Sequence, residues 1–351
     1  MGFKGGYREG MFIIRGAEKK DIDGLYRLAG TPGFLTLQKD RVSLEKKIKQ
    51  SIKSFKSQAK DPRDSEYLFV LEDLSKKRVV GCCLIVGQHG TPESPHMYFS
   101  VLKKKKYSRS LKVGLDHEVL RLNFDYDGPT ELGGLILDKK YRGHPEKLGK
   151  FLSYTRFVYM AARLPQFREH LLCELLPPFD SDGRSPIWED IGRKFTKMDY
   201  DKADKLSQQS NEFIHGLFPE GDIYTCFLSK KARQAIGQVG PHTQPVKAML
   251  ESIGFKYTQM IDPFDGGPHY WAKLSEVSLI RRTQRLKLYR NSGALKLRAR
   301  NGICLHINQG EVKAIMGLFD FNSKSELVLN KDQKKLYSVG NNSEFYFLEI
   351  K

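Results

Sequence analysis

The sequence predicts an α+β protein with more than one hydrophobic core. The chain has 351 residues, of which 40% are hydrophobic, and at roughly 150 residues per domain it has room for about two domains. Two β-rich runs, EYLFVLED at 66–73 and RVVGCCLIVG at 78–87, flank a short polar stretch and predict an antiparallel hairpin. Apolar side chains recur at helical spacing between residues 39 and 60, which predicts an amphipathic helix.

The first half of the chain mixes strands and helices. The run MFIIR at 11–15 predicts a first strand, and the acidic DID at 21–23 predicts the first turn of a helix. Residues 88–128 are rich in charge, Pro, Gly and Asp, and we expect an irregular insertion there. The run ELGGLILD at 131–138 predicts a buried strand followed by a helix, and 168–176 predicts another strand.

The second half predicts two helices and then a β-rich end. Ser185 is the expected N-cap of a helix at 185–195, and a second helix is expected at 243–254. From residue 276 onward, short runs that include KLYSV at 335–339 are separated by Gly and Asn turns. This pattern predicts a small β-rich C-terminal subdomain at 276–351.

Positive charge is concentrated in three patches. Lys and Arg number 59 against 41 Asp and Glu, a net charge of +18, and the excess lies at 39–60, 103–106 and 277–300. Such patches bind nucleic acid in some proteins and are merely solvated in others. The helical repeat in the first patch favours a solvated helix face, so nucleic acid is the less expected partner.

Composition also indicates the compartment. No apolar run approaches the roughly 18 residues that span a bilayer, and the N-terminal extension at 1–10 lacks the apolar segment of a signal peptide. The five cysteines are odd in number and show no CxxC spacing, which is typical of reduced core cysteines. We therefore expect a cytoplasmic protein with no membrane partner.

The segment 131–153, ELGGLILDKKYRGHPEKLGKFLS, carries the clearest chemical signal. A strand that turns into a helix presents unpaired backbone N–H groups, which bind anions. Gly143 and Gly149 would let a phosphate approach the backbone, and Arg142 and Lys150 add positive charge. Taken alone, the segment is also compatible with a plain strand-to-helix turn.

The order of elements and this segment resemble the GNAT acyltransferase superfamily, in which an amine attacks an acyl-CoA thioester directly. Longer stretches resemble the arginine N-succinyltransferase family from Met11 to the C-terminus. These stretches are YLFVLED, TELGGLILD, SPIWEDIGRKFTKMDYDKAD, FLSKKARQAIGQV, MLESIGFKY and IDPFDGGP. The resemblance implies tandem GNAT-like units with mixed central sheets at 11–180 and 181–275.

The same resemblance implies the reaction and one of its binding residues. Succinyl-CoA would be the co-substrate, with no permanently bound cofactor, and the α-amino group of arginine would be the acceptor. Leu135 falls at the family's succinyl-CoA position.

The chain departs from the family at the catalytic histidine. The family motif IGQVHP, whose histidine donates a proton, reads IGQVGPH from Ile236, so that Gly240 stands in the histidine's place. His242 follows two residues later and is our candidate for the catalytic proton donor. A histidine that merely caps the following helix is the alternative.

The acidic residues of the acceptor side are retained. Glu174 stays where the family strand reads AEMRG and this chain reads CELLPP, although the arginine is lost. We predict a catalytic role for Glu174 and substrate-binding roles for Asp262 and Asp265, since carboxylates pair with an ammonium or guanidinium; solvated strand-end carboxylates are the alternative. The remaining histidines lack HxxxH or HxH spacing, so the sequence predicts no metal site.

The resemblance therefore implies an acyl-CoA-dependent N-acyltransferase that succinylates arginine in arginine catabolism. A related GNAT enzyme with a different acyl donor or amine acceptor is one alternative. A catalytically inactive, basic nucleic-acid-binding relative is the other. The oligomeric state, homomeric or heteromeric, is left open.

Overall fold

The computed structural model describes residues 11–29, 37, 39–56, 61–207, 210–290 and 296–350. The extension at 1–10 lies outside these residues. The chain forms two compact units, both discontinuous in sequence: the first contains residues up to 87, 130–168 and 274 onward, and the second contains 88–129 and 169–273. Both combine helices with strands, so the predicted α+β class is confirmed.

The first unit is an antiparallel sheet with helices. Its strands follow the spatial order β11-β15-β12-β13-β1-β2-β3-β6. The strands are β1 Phe12–Gly16, β2 Glu66–Asp73, β3 Arg78–Val86, β6 Thr130–Leu137, β11 Gln284–Leu286, β12 Arg298–Asn308, β13 Glu311–Phe321, β14 Leu327–Val328 and β15 Glu344–Glu349. The helices are α1 Ile22–Ala29, α2 Arg41–Lys56, α3 Leu148–Ala162, α9 Ser278–Arg282 and α10 Lys331–Tyr337.

The strands of the second unit pair in the order β7-β10-β9-β4-β5-β8. Its strands are β4 His96–Ser108, β5 Val113–Asp125, β7 His170–Glu174, β8 Ile223–Tyr224, β9 Lys256–Ile261 and β10 Pro268–Lys273. Its helices are α4 Arg193–Thr196, α5 Tyr200–Ser207, α6 Glu212–Leu217, α7 Lys230–Ala235 and α8 Gln244–Ser252. Trp188, which lies just before α4, is fully buried and stacks on Phe264 with ring centroids 5.0 Å apart. This contact packs the segment before α4 onto the loop after β9.

The expectation of an irregular insertion at 88–128 is wrong. β4 and β5 form a long antiparallel hairpin whose register pairs Lys103 with Glu118 and Lys105 with Asp116. Opposite charges that face each other across two strands stabilise a hairpin even where both strands are polar. The lysine run therefore lies within a strand.

The C-terminal strands differ from the predicted separate subdomain. β13 pairs with β1 in the register Ile14↔Ala314, so the end of the chain extends the sheet that the first strand begins. KLYSV at 335–339 is also not a strand, because α10 ends at Tyr337. Asn330 and Gln333 cap each other's backbone N–H groups at the start of α10, a capping box that favours the helix.

The predicted N-cap at Ser185 is confirmed. The Ser185 hydroxyl accepts a hydrogen bond from the backbone N–H of Trp188 at 3.1 Å, as an N-cap does. After α8, Gly254 adopts φ +115°, a conformation that L residues rarely adopt.

Cysteine placement follows the prediction at four of five positions. All five cysteines are free thiols, and Cys82, Cys83, Cys173 and Cys304 are buried, whereas Cys226 is exposed. Among the described helices, none combines the length and apolar character that crossing a bilayer requires.

Candidate active site

The strand that carries Leu135 is distorted at that residue. β3 pairs Cys82 with Ile136 and Leu84 with Gly133, so two residues of β6 oppose the single Cys83. Gly134 adopts φ +57°, and the half-buried Leu135 follows it. This is a β-bulge, which interrupts the ladder and redirects the strand next to the predicted acyl-CoA position.

A buried arginine ties the following helix to this bulge. Arg156 of α3 is 1% exposed and donates hydrogen bonds to the Gly133 carbonyl at 3.4 Å and to the Ser153 hydroxyl at 2.9 Å. Arg156 was not among the residues predicted from the sequence. Its only signal there was a charged residue in an otherwise apolar helical run, SYTRFVYMAA.

The turn between β6 and α3 leaves the helix N-terminus open. Gly143 adopts φ +73°, and a Cβ added there would have no atom within 4 Å, whereas a Cβ at Gly149 would meet only Leu137 Cδ2 at 3.9 Å. Lys147, the N-cap residue, is left-handed and makes no side-chain capping bond. The first N–H groups of α3 are thus uncapped by that side chain, and the helix dipole adds positive potential there.

Two cations stand beside this open terminus. Arg142 is exposed, and its Nε donates to the Leu137 carbonyl at 3.3 Å, which fixes the start of its side chain at the strand end. Lys150 is half-buried, with its Nζ 5.1 Å from the centroid of the Tyr154 ring. The structure therefore brings Arg142, Gly143, Gly149 and Lys150 to one strand-to-helix turn, next to Leu135.

In the second unit, Glu174 lies between two buried histidines. It ends β7 and pairs in register with His269 of β10. The Nε2 atoms of His96 and His269 each lie 3.4 Å from Glu174 Oε1, and the two rings stack with centroids 5.2 Å apart. Burial lowers the pKa of His96 well below its usual value, and the neighbouring His89 adds to this effect.

His96 and His269 were not predicted from the sequence as neighbours of Glu174. His269 directly follows IDPFDGGP, which was a usable signal, but its pairing with Glu174 depends on a register between distant strands. His96 begins a strand in the segment that was expected to be irregular. The structure also brings together possible metal ligands that the spacing rule did not detect: His89, His96 and Glu174 in one group, and Glu174 with Asp262 and His269 in another.

The loop after β9 holds the two aspartates in fixed positions. Asp262 Oδ1 accepts hydrogen bonds from the N–H groups of Phe264 at 2.7 Å and Asp265 at 2.9 Å, and Asp265 Oδ1 accepts from Gly267 N–H at 2.7 Å. Burial raises the pKa of Asp262, and burial together with the charge of Asp262 raises the pKa of Asp265 well above its usual value. A cation placed here would relieve this repulsion.

The histidine position of the family is closed by packing. Gly240 N–H donates to the Leu176 carbonyl at 2.8 Å, and a Cβ at Gly240 would lie 2.7 Å from the Pro177 carbonyl oxygen. His242 is exposed on the turn before α8. The capping alternative has no support at this helix, since Thr243 is the N-cap residue.

The basic patches are exposed but partly neutralised. Five described arginines of the 277–300 patch are exposed, namely Arg281, Arg282, Arg285, Arg290 and Arg298. Arg300 forms an ion pair with Glu349 at 2.7 Å. Lys104 of the lysine run forms an ion pair with Asp222. Ion pairs of this kind reduce the positive potential available to a nucleic acid.

Comparisons with known proteins agree with the resemblance. Residues 12–279 match the family described as arginine N-succinyltransferase beta subunit. The arginine N-succinyltransferase of Yersinia pestis (strain Pestoides F) is 36% identical over 274 residues, covering 77% of each chain. That of Escherichia coli O1:K1 / APEC is 37% identical over 278 residues, covering 78% of this chain and 79% of the relative.

A solved structure extends the similarity beyond the sequence match. The arginine/ornithine succinyltransferase subunit AI from Pseudomonas aeruginosa superposes with a TM-score of 0.83 at 26% identity, covering 97% of this chain and 99% of the other. The family match ends at residue 279, short of the C-terminus to which the sequence resemblance was expected to run, whereas the fold similarity covers nearly the whole chain. The chain belongs to the arginine N-succinyltransferase family.

Proposed function

We propose that this protein transfers a succinyl group from succinyl-CoA to the α-amino group of arginine, a reaction of arginine catabolism. The observation that carries the proposal is the open N-terminus of α3 directly after the bulged strand that holds Leu135. Uncapped N–H groups and two cations suit a pyrophosphate, and an irregular strand leaves backbone groups free to contact an extended pantetheine arm. Family membership supports the choice of reaction.

The chemistry needs no covalent enzyme intermediate. The neutral amine attacks the thioester carbonyl carbon, the C–N bond forms, the C–S bond breaks, and CoA leaves as a thiolate. The acceptor nitrogen loses two protons in all: one before the attack, when the ammonium becomes the amine, and one as the tetrahedral intermediate collapses to the amide. The thiolate takes up one proton, and the other is released to solvent. Holding both substrates in one complex supplies proximity, and backbone N–H groups stabilise the oxyanion that forms on the carbonyl.

The proposed donor-side roles follow the strand-to-helix turn. Leu135 lies beside the pantetheine arm. Gly143 and Gly149 let the pyrophosphate approach the backbone, and Arg142 and Lys150 neutralise its charge.

The proposed acceptor-side roles belong to the carboxylates of the second unit. Arginine carries an ammonium and a guanidinium, and Asp262, Asp265 and Glu174 offer negative charge to both. The raised pKa values of the two aspartates support this assignment, because carboxyl groups that are buried close to other acids favour a cationic ligand. Glu174 faces the reacting ammonium in this proposal, and His242 returns a proton to the thiolate.

A different acyl donor is the second candidate. Leu176 stands where the family's strand has its arginine, and its side chain is apolar. A succinyl carboxylate needs a cationic partner, whereas an acetyl or longer alkyl chain does not. The loss of that arginine favours an uncharged acyl group on the same CoA site.

The decisive assay measures release of free thiol from several acyl-CoAs against a panel of amino acids. We expect turnover with succinyl-CoA and arginine to exceed all other pairs. Faster turnover with acetyl-CoA or a longer acyl-CoA would establish the second candidate instead. No thiol release with any pair, combined with binding to nucleic acid that weakens steeply as salt rises, would support the inactive basic relative.

Gly149→Leu should weaken CoA binding at least tenfold while the protein stays folded. The new side chain has room within the protein, since its Cβ would meet only Leu137 Cδ2 at 3.9 Å, but it would cover the N–H groups of the helix start. Calorimetric titration with CoA measures the loss. Gly114→Leu, at an exposed strand position where a Cβ would meet nothing closer than 3.6 Å, is the matched control. Unchanged CoA affinity in Gly149→Leu would place the cofactor elsewhere.

His242→Ala should lower kcat by roughly 10²–10⁴-fold and leave CoA affinity nearly unchanged, as expected for a general acid. The side chain is exposed, so its removal should not affect folding. His215→Ala, at another exposed histidine on α6, provides the control and should retain full turnover. If kcat is the same in His242→Ala and the wild type, the CoA thiolate leaves without a proton from His242, and the predicted role of this histidine is wrong.

Gly240→His, which restores the family's residue, should destabilise the protein by about 1–3 kcal/mol because an added side chain overpacks the site. Its Cβ would lie 2.7 Å from the Pro177 carbonyl oxygen and 3.1 Å from that of Leu176. Urea unfolding measures the change. Gly221→His, where nothing lies within 4 Å, should be nearly neutral. Wild-type stability with raised turnover in Gly240→His would show that the loop still accepts a histidine.

A further inference from the structure

We propose that His89, His96 and Glu174 form a binding site for a divalent transition-metal ion of the zinc type. One ligand atom from each of these three residues lies within 4.8 Å of the other two. Neither the sequence spacing nor the family similarity indicates such a site. The three ligands come from separate parts of the second unit: the segment before β4, the start of β4 and the end of β7.

His96 provides the strongest support. Its side chain is 1% exposed, and neither ring nitrogen has a hydrogen-bond partner among the described residues. Burying a polar nitrogen without a partner costs free energy, which a metal–nitrogen bond would recover. The His89 ring packs against it with centroids 4.7 Å apart, so a second imidazole stands next to the first.

The distances suit tetrahedral coordination. With metal–ligand bonds of about 2.0–2.1 Å, two ligand atoms of a tetrahedral zinc lie about 3.4 Å apart. His96 Nε2 and Glu174 Oε1 are separated by 3.4 Å. Two imidazoles and one carboxylate favour zinc and similar ions over magnesium or calcium, which prefer oxygen ligands.

The neighbouring group of Glu174, Asp262 and His269 fits an ion less well. Asp262 Oδ1 already accepts two backbone hydrogen bonds, from Phe264 and Asp265. These bonds hold the carboxylate in the loop and occupy lone pairs of Oδ1 that a metal ion would need. We therefore place the ion on the His89 side of Glu174.

The test of the metal site is independent of the proposed reaction, because metal binding is measured without substrates. The site has one consequence for that reaction. Glu174 is assigned to the acceptor's cationic group in the proposed function, so a metal ion and the acceptor would compete for one carboxylate. Thiol-release assays in the presence of a chelator test the proposed function separately.

The test is a zinc titration of the full-length chain after chelator treatment and desalting, with calorimetry for affinity and elemental analysis for stoichiometry. We expect one zinc per chain. His89→Gln and Glu174→Gln should each weaken binding at least tenfold, and zinc should raise the melting temperature of the wild type more than that of either variant. His96 is buried, so replacing it could unfold the protein. The test therefore uses a substitution of the half-buried His89.

His215→Gln, at an exposed histidine on α6, is the matched control and should bind zinc as the wild type does. Absence of stoichiometric binding would overturn the proposal, as would wild-type affinity in His89→Gln. If His269→Gln lost zinc binding and His89→Gln kept it, the ion would lie between Glu174, Asp262 and His269 instead, and the proposal would also be wrong.

Discussion

The proposed acyl-CoA site depends on one extra residue in β6. Gly134 and Leu135 together oppose Cys83, and the positive φ of Gly134 is what lets the strand take up the additional residue. Arg156 then donates from α3 to the carbonyl of Gly133 at 3.4 Å, so the bulge and the helix are linked by a buried guanidinium. This contact therefore holds the distorted strand and α3 together, and the proposed acyl-CoA site uses both of them.

In the second unit, backbone hydrogen bonds hold two neighbouring carboxyl groups close together although their charges repel each other. The loop that contains Asp262 and Asp265 is fixed by N–H groups that point at their carboxylates, and the pKa of each is nevertheless raised. Groups held in this way cannot escape repulsion by moving. They can reduce it by binding a proton or a cation, which is the physical reason for proposing that these carboxylates face the cationic acceptor.

Local features of the fold were predictable from the sequence, and distant pairings were not. The hairpin of β2 and β3, the Ser185 cap and the turn from β6 into α3 each depend on residues that are close in the chain. The pairing of β13 with β1 joins the two ends of the chain, and no local pattern encodes it. The acidic residues of the proposed acceptor side could be selected from the sequence, whereas the contact between His269 and Glu174 exists only through the register of β7 with β10.

Gly240, which stands in place of the family's histidine, is packed so closely that a side chain would not fit there without a shift of its neighbours. Gly240 packs against the backbone carbonyls of Leu176 and Pro177. Leu176 also stands where the family has its arginine, so the position of the lost histidine and the position of the lost arginine are in contact. A proton donor contributes at most about 10⁴-fold to such a reaction. A CoA thiol resembles the cysteine thiol, whose pKa is about 8.5, and its thiolate is therefore a tolerable leaving group near neutral pH. In the proposed reaction the loss of the family's histidine is therefore tolerable, whereas the cationic acceptor still needs the carboxylates that this chain retains.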